Sequence, residues 1–300
     1  MTDYFKELSA QKKIGVAFPA GFLALHETSA IKQGLSDLQY KVVLGKNFEH
    51  RHGYLAGGDS IRAEAFMELW KDPSIGIIWC AKGGYGSCRI LDRLDFGYIR
   101  RHPKILIGMS DITALHSAFS KKVTFPTFLG PNLSLLFGKD AKTLKMRADT
   151  FAYLNSFEQS SSLQEAKWIN PGRAQAPIVG GNLCVLTSLI GTMWQPNFQG
   201  KILLIEEVNE APYRIDRMLF QLEKSGSLRN LQGVILASFE NCIPNKNKDS
   251  LELEQIFKDY FGSKNYPVVQ GIASGHLPYQ QMIPLGKPVL LDSEQDFIIL

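Results

Sequence analysis

The residues most able to do chemistry begin with Gly108-Met109-Ser110-Asp111, which follows the apolar run 104–108 (KILIG) and opens a stretch of helical character. A serine at a tight strand-to-helix turn is projected clear of the backbone, and the amides behind it lie near a developing oxyanion. Ile112 stands where GxSxG would have its second glycine, so the pattern is incomplete. Capping of the helix by Ser110 or Asp111 is the competing explanation. Lys82-Gly83-Gly84-Tyr85-Gly86-Ser87, after 75–81 (IGIIWCA), carries three glycines in four positions, which frees backbone N–H groups to approach a ligand. Its spacing fits neither GxxxxGK[ST] nor GxGxxG, leaving oxyanion donation, a phosphate cradle or a plain tight loop.

Two further stretches could supply an acid and a base. Ile205-Glu206-Glu207-Val208 ends an apolar run, where a carboxylate either orients a catalytic base or is a solvated strand end. Gly275-His276-Leu277-Pro278 puts a histidine in a loop, suited to general-base work near neutral pH. Among the other histidines, His116 lies in a helical stretch, His50 and His52 flank Arg51, and His26 and His102 are isolated. None has metal-ligand spacing. Cys80, Cys88, Cys184 and Cys242 form no CxxC, so neither a zinc site nor a disulfide framework is expected, and free thiols suit a reducing compartment.

The elements that must position these residues come from hydropathy. The runs 13–18 (KIGVAF), 75–81 and 104–108 read as strands covered on both faces, and 60–71 has Ala63, Phe66, Met67 and Trp70 on one helical face. Such alternation predicts βαβ units and a parallel sheet flanked by helices. The stretch 155–176, rich in Ser, Gln, Asn and Pro, reads as a linker. The second half has strands at 201–206 and 233–239, helices at 183–190 and 213–224, and short terminal strands at 289–291 and 297–300. The expected fold class is α/β, in two domains with a cleft between them: an N-terminal parallel-sheet domain (1–154) containing Ser110, the linker, and a second domain (177–300) containing Glu206 and His276.

With 300 residues, 45% apolar and 21% charged, the chain is long enough to fold without disulfides or a structural metal. Thirty-three basic against 29 acidic residues, a formal charge of +4 with no long basic run, do not indicate a nucleic-acid partner. No apolar stretch approaches the roughly 20 residues that span a bilayer, and the N-terminus has no signal-peptide core, so a soluble cytoplasmic protein with no membrane association is expected.

Taken together, these pieces resemble the serine LD-carboxypeptidase family, the Ser-Glu-His peptidases of murein recycling. The resemblance covers nearly the whole chain: 53–62 (GYLAGGDSIR), 72–86 (DPSIGIIWCAKGGYG), 103–115 (PKILIGMSDITAL), 177–183 (PIVGGNL), 202–219 (ILLIEEVNEAPYRIDRML) and 275–286 (GHLPYQQMIPLG). It implies Ser110 as nucleophile, Glu206 rather than Glu207 as acid, and His276 as base, with the amides of Gly84 and Asp111 forming the oxyanion hole. It further implies a Rossmann-like N-terminal domain with a smaller, β-rich C-terminal one, a homodimer, no cofactor or metal, and release of the terminal D-Ala from a murein tetrapeptide by cleavage of an L-D bond. A triad shared between two domains would be sensitive to small interdomain rotations. Lys82, Arg214 and Arg217 are candidates by location for the substrate carboxylate. The family usually has arginine where Lys82 stands, and commonly a histidine at the position of Leu129; lysine keeps the charge but loses the bidentate fork. The alternatives are a microcin C immunity-type peptidase acting on aminoacyl-nucleotide analogues and, in another class, a nonenzymatic ligand-binding protein on the same scaffold.

Overall fold

The computed structural model describes residues 2–157, 160–162, 167–244, 249–294 and 297–299. Its first sheet has the order β2-β1-β3-β4-β5, extended at the β5 edge by a strand from the far end of the chain. The strands are β1 (Lys13–Ala17), β2 (Lys41–Leu44), β3 (Ile77–Cys80), β4 (Ile105–Gly108) and β5 (Thr127–Leu129), all parallel. β3 and β4 are buried at every residue, as continuous apolar runs in a sheet covered on both faces should be. The helix Asp59–Lys71 buries Ala63, Phe66, Met67 and Trp70. This 2-1-3-4-5 order is a doubly wound arrangement, in which ligands bind beyond the carboxyl ends of the strands. The Gly-rich loop follows β3 and Ser110 follows β4, both at that end.

The remaining strands are β6 (Ser160–Ser162), β7 (Lys167–Asn170), β8 (Arg173–Asn182), β9 (Ile202–Val208), β10 (Gly233–Glu240), β11 (Val268–Gln270), β12 (Ile283–Leu285), β13 (Pro288–Asp292) and β14 (Phe297–Ile299). Apart from β12 they form an eight-stranded mixed sheet in the order β6-β14-β13-β8-β9-β10-β11-β7. Its centre, β8 to β11, is parallel, and its outer strands pair antiparallel. The protein is thus α/β, with a mostly parallel N-terminal sheet and a curled mixed C-terminal sheet.

Two features differ from the sequence expectation. The stretch 155–176, expected as a linker, carries the end of the helix Ala141–Ser156, strands β6 and β7 and the start of β8. Polar composition hid these strands because β6 and β7 are the two edges of the sheet, each paired on one side only, with β14 and β11. In addition, β12 leaves the second half of the chain to pair antiparallel with β5, so the C-terminal segment completes the N-terminal sheet.

The two faces of the second sheet have different partners. Leu203 and Ile205 of β9 pack with Ile215, Leu219 and Leu222 of the helix Pro212–Lys224. Ile202 and Leu204 pack with Met109 and Leu129 of the first sheet's loops and edge. Alternation along a strand then sends Glu206 to the Met109 side and Glu207 to the helix side. Trp194 adds a second contact between the halves: its indole N–H donates to Asp92 (2.9 Å) and its ring lies 5.4 Å from that of Phe96.

Candidate active site

Ser110 has φ of +63°, the left-handed region in which a side chain with a Cβ is strained by roughly 1–3 kcal/mol. Its neighbours hold that conformation. Asn132 brackets the Met109 peptide: its Oδ1 accepts from Met109 N–H at 3.1 Å and its Nδ2 donates to Met109 O at 3.5 Å. His116, buried on the helix Thr113–Lys122, bonds through Nε2 to Gly108 O (2.9 Å) and through Nδ1 to Thr127 Oγ1 (2.8 Å). Burial lowers the His116 pKa to about 4, so the ring is neutral; Nε2–H donates to the carbonyl and Nδ1 accepts from the threonine. From the other side, a Cβ added to Gly83 would lie 2.9 Å from Ser110 Cβ and 3.2 Å from its Oγ. The Gly-rich loop therefore rests directly on the serine.

Arg62 anchors that loop. Its fully buried guanidinium donates to Gly86 O at 2.7 Å, to Gly57 O at 3.1 Å, to Pro19 O and to Asp59. Gly84, with φ of +102°, is exposed two residues before Gly86. The Asp111 side chain turns inward and accepts from Ser87 N–H (2.8 Å), leaving its backbone as the relevant part for an oxyanion. Burial raises the Asp111 pKa, against the hydrogen bonds from Ser87.

The candidate acid and base meet directly. His276 Nδ1 lies 2.8 Å from Glu206 Oε2, and the Glu206 side chain is completely buried while that of His276 retains 23% exposure. Burial alone disfavours the imidazolium, but the hydrogen bond and charge of Glu206, aided by Glu207, outweigh it and raise the His276 pKa above its ordinary value. Glu207 is occupied elsewhere, accepting from Asn182 Nδ2 (2.9 Å), Cys184 N–H (2.8 Å) and Val208 N–H (2.9 Å). It ties β9 to the end of β8, and burial raises its pKa.

The structure thus brings Glu206 and His276 together and sets Ser110 beside Met109, on the Glu206 face of β9; Ser110 and His276 are not hydrogen-bonded to each other. Of the three cation candidates, Lys82 is exposed on the loop that touches Ser110. Arg214 pairs with Glu210 at 3.2 Å, and Arg217 lies 5.8 Å from the centre of the Tyr213 ring, both on the outer side of the helix Pro212–Lys224. Arg214 borders a cavity of about 620 Å³ that none of Ser110, Glu206 and His276 lines. Sequence reasoning missed Asn132, His116 and Thr113. Thr113 Oγ1 accepts from Asn182 N–H (2.9 Å), fixing the serine's helix to β8. The signal for this contact was Gly181, whose added Cβ would lie 2.4 Å from that oxygen. Among the described residues no group of His, Cys, Asp and Glu is arranged to hold a metal, and no helix is long and apolar enough to cross a membrane.

A serine on a strained strand-to-helix turn, and a buried carboxylate holding an imidazole on the sheet face that packs against the residue before that serine, are components suited to acyl transfer. Residues 14–130 match the LD-carboxypeptidase N-terminal domain and residues 175–291 the LD-carboxypeptidase C-terminal domain. The chain is 36% identical over 297 residues to "Probable murein peptide carboxypeptidase" of Bacillus subtilis, covering 98% of this chain and 93% of that protein. It is 31% identical over 294 residues to "Murein tetrapeptide carboxypeptidase" of Pseudomonas aeruginosa, covering 94% of each. Among solved structures, the muramoyltetrapeptide carboxypeptidase from Oxalobacter formigenes superposes with a TM-score of 0.83 at 26% identity, over 96% of this chain and 97% of that one. The chain belongs to the LD-carboxypeptidase family.

Proposed function

We propose that this protein is a serine LD-carboxypeptidase that hydrolyses the L-D bond releasing the terminal D-Ala of a murein tetrapeptide. The observation that carries the proposal is the 2.8 Å contact between His276 and the wholly buried Glu206 carboxylate, on the sheet face that meets the Ser110 turn. In this mechanism His276 takes the Ser110 proton while Glu206 holds the imidazole tautomer and supports its positive charge. Ser110 Oγ attacks the carbonyl of the residue before D-Ala, and the amides of Gly84 and Asp111 hold the oxyanion. His276 then protonates the leaving amine, and water resolves the acyl-enzyme. Lys82, on the loop resting against Ser110, is the best-placed candidate for the substrate carboxylate. We place the enzyme in the cytoplasm as a homodimer that needs no cofactor.

The test is incubation of the protein and its Ser110→Ala variant with a tetrapeptide ending in D-Ala, followed by mass spectrometry of released D-Ala. Release by the wild type, reduced on the order of 10³-fold or more in the variant, is expected by analogy with other triads. No release by either protein would overturn the substrate assignment, and aminoacyl-adenylate analogues would then be the substrates to try. Full activity in Ser110→Ala would overturn the mechanism.

A further inference from the structure

Two buried oxygens at the base of the His276 loop lack hydrogen-bond partners: Glu206 Oε1 and Ser238 Oγ. A buried carboxylate oxygen beside a buried hydroxyl, both unpaired, is unexpected, because each could satisfy the other at little cost. Their proximity follows from the strand register. β10 pairs with β9 through Leu236 and Ile205, then resumes through Phe239 and Glu207, so Ala237 and Ser238 both stand opposite Glu206. Such a bulge re-aims side chains locally. Ala237 packs in the cluster of Ile202, Leu204 and Met109, which is the Glu206 face of the sheet. Ser238 would face the opposite side if the strand alternated regularly. Instead its Oγ lies on the side of the carboxylate: a Cβ built on Gly275 would lie 2.3 Å from Ser238 Oγ, 2.8 Å from Glu206 Oε2 and 2.9 Å from Glu206 Cβ, so both groups border the same glycine. Gly275 has φ of +107° and immediately precedes His276, and the adjoining Ser274 carbonyl accepts from Ser238 N–H at 3.1 Å.

We infer that Ser238 is a positioning residue of the site, whose hydroxyl donates to the Glu206 carboxylate and thereby fixes the acid that orients His276. The assignment rests on the proposed triad and adds a fourth member to it. The bulge turns the hydroxyl inward, and the missing side chain of Gly275 leaves room for serine, carboxylate and histidine loop to meet. Two other titratable groups act on this centre. Glu207 on β9 faces Asn182 and the amides of Cys184 and Val208, and the Cys242 thiol beyond β10 lies against Glu240 O. Both are thus engaged with other partners, and neither donates a hydrogen bond to Glu206.

The hydroxyl stabilises the carboxylate most when His276 is neutral, because the negative charge is then uncompensated. Its removal therefore favours the protonated pair. The experiment is an NMR titration of the His276 imidazole in wild type, Ser238→Ala and Ser238→Cys, with His276→Gln identifying the resonance. Both Ser238 variants should raise the apparent pKa by about half a unit or more. Cysteine preserves most of the volume but donates weakly, so it keeps the test available if the alanine variant does not fold. With tetrapeptide as substrate, kcat should fall about tenfold with KM unchanged, as expected for an interaction that matters only in the transition state. An unchanged or lowered His276 pKa in the folded variants would overturn the assignment. The titration needs no substrate, so a wild type that releases no D-Ala would refute the proposed activity while leaving this result decisive for Ser238.

Discussion

Replacing Glu206 by glutamine separates electrostatics from packing at this site more cleanly than any other change, since the side chain keeps its shape and loses its charge. Glu206 is fully buried and its Oε2 is 2.8 Å from His276 Nδ1, so solvent screens the attraction much less than at the surface. Two unit charges with centres about 4 Å apart at an effective dielectric near 20 interact by roughly 4 kcal/mol, which sets the scale of the effect at about 3 pH units. Burial of the ring, which opposes its protonation, remains after the substitution. The sign follows. In the wild type the raised His276 pKa sets the acid limb of kcat/KM above the ordinary histidine value of about 6.5. In Glu206→Gln the limb should move below that value, even as kcat drops by on the order of 10⁴ because the tautomer is no longer enforced. The assay is D-Ala release from tetrapeptide between pH 5 and pH 9 on both proteins, with thermal melts to verify folding. An acid limb that stays in place, or a kcat within tenfold of wild type, would refute the assignment of Glu206 as the acid paired with His276.

Three other substitutions probe the surroundings of that pair. Glu207→Ala strips three donors of their shared acceptor and should lower stability by about 1–3 kcal/mol in denaturant titration, leaving kcat of the folded protein far less affected than Glu206→Gln does; equal losses of kcat would reverse the roles of the two acids. Gly83→Ala drives a methyl group to within 2.9 Å of Ser110 Cβ and should reduce kcat by roughly 10²-fold with little change in melting temperature. Full activity in that variant would mean that the loop does not rest on the nucleophile during catalysis. Tyr279→Phe removes a 2.6 Å hydrogen bond to Asp149 that ties the His276 loop to the helix Ala141–Ser156; kcat should fall several-fold while KM holds, and a change confined to KM would argue against a role in placing His276.

The central strands were legible because their whole length is apolar, and so was the serine turn, because a glycine, a serine and a helix start follow one of those strands at once. The same property hid the choice between Glu206 and Glu207. Alternation along 202–207 assigns the two acids to opposite faces, but both faces of β9 are buried, so nothing in the run ILLI reveals which face meets the serine. The packing of Met109 against Ile202 and Leu204 shows that the face bearing Glu206 is the one turned to the serine's loop, which supports the proposed role of Glu206. Ser238 was invisible for a related reason, since regular alternation places it on the wrong face and the bulge that corrects this depends on pairing with a distant strand. Asn132 and His116 carried no signal because each serves the Met109–Ser110 turn through the carbonyls and amides of Gly108 and Met109, groups identical at every position of a sequence.

The sequence also suggested that a triad divided between two domains would be undone by small rotations, and the chain path shows what resists them. The loop bearing His276 begins after β11 in the second sheet and ends in β12, which is hydrogen-bonded to β5 in the first. Its two ends are therefore fixed to different sheets. On the way it is tied to β10 by Gly271 N–H to Leu236 O (3.0 Å) and Ser238 N–H to Ser274 O (3.1 Å), and folded on itself by Gln281 N–H to Ala273 O (2.7 Å). Tyr279 then secures it to the helix Ala141–Ser156 of the first half. A rotation that carried His276 away from Ser110 would have to break the β12–β5 pairing or the hydrogen bonds that tie this loop to β10, and it would drag Met109 from the cluster that it shares with Ile202 and Leu204. Loss of a few buried apolar contacts of that kind amounts to several kcal/mol, more than the roughly 1.4 kcal/mol that changes a population tenfold. A triad divided between two sheets is thus compatible with a rigid site, because His276, its proposed base, sits on a segment that belongs to both.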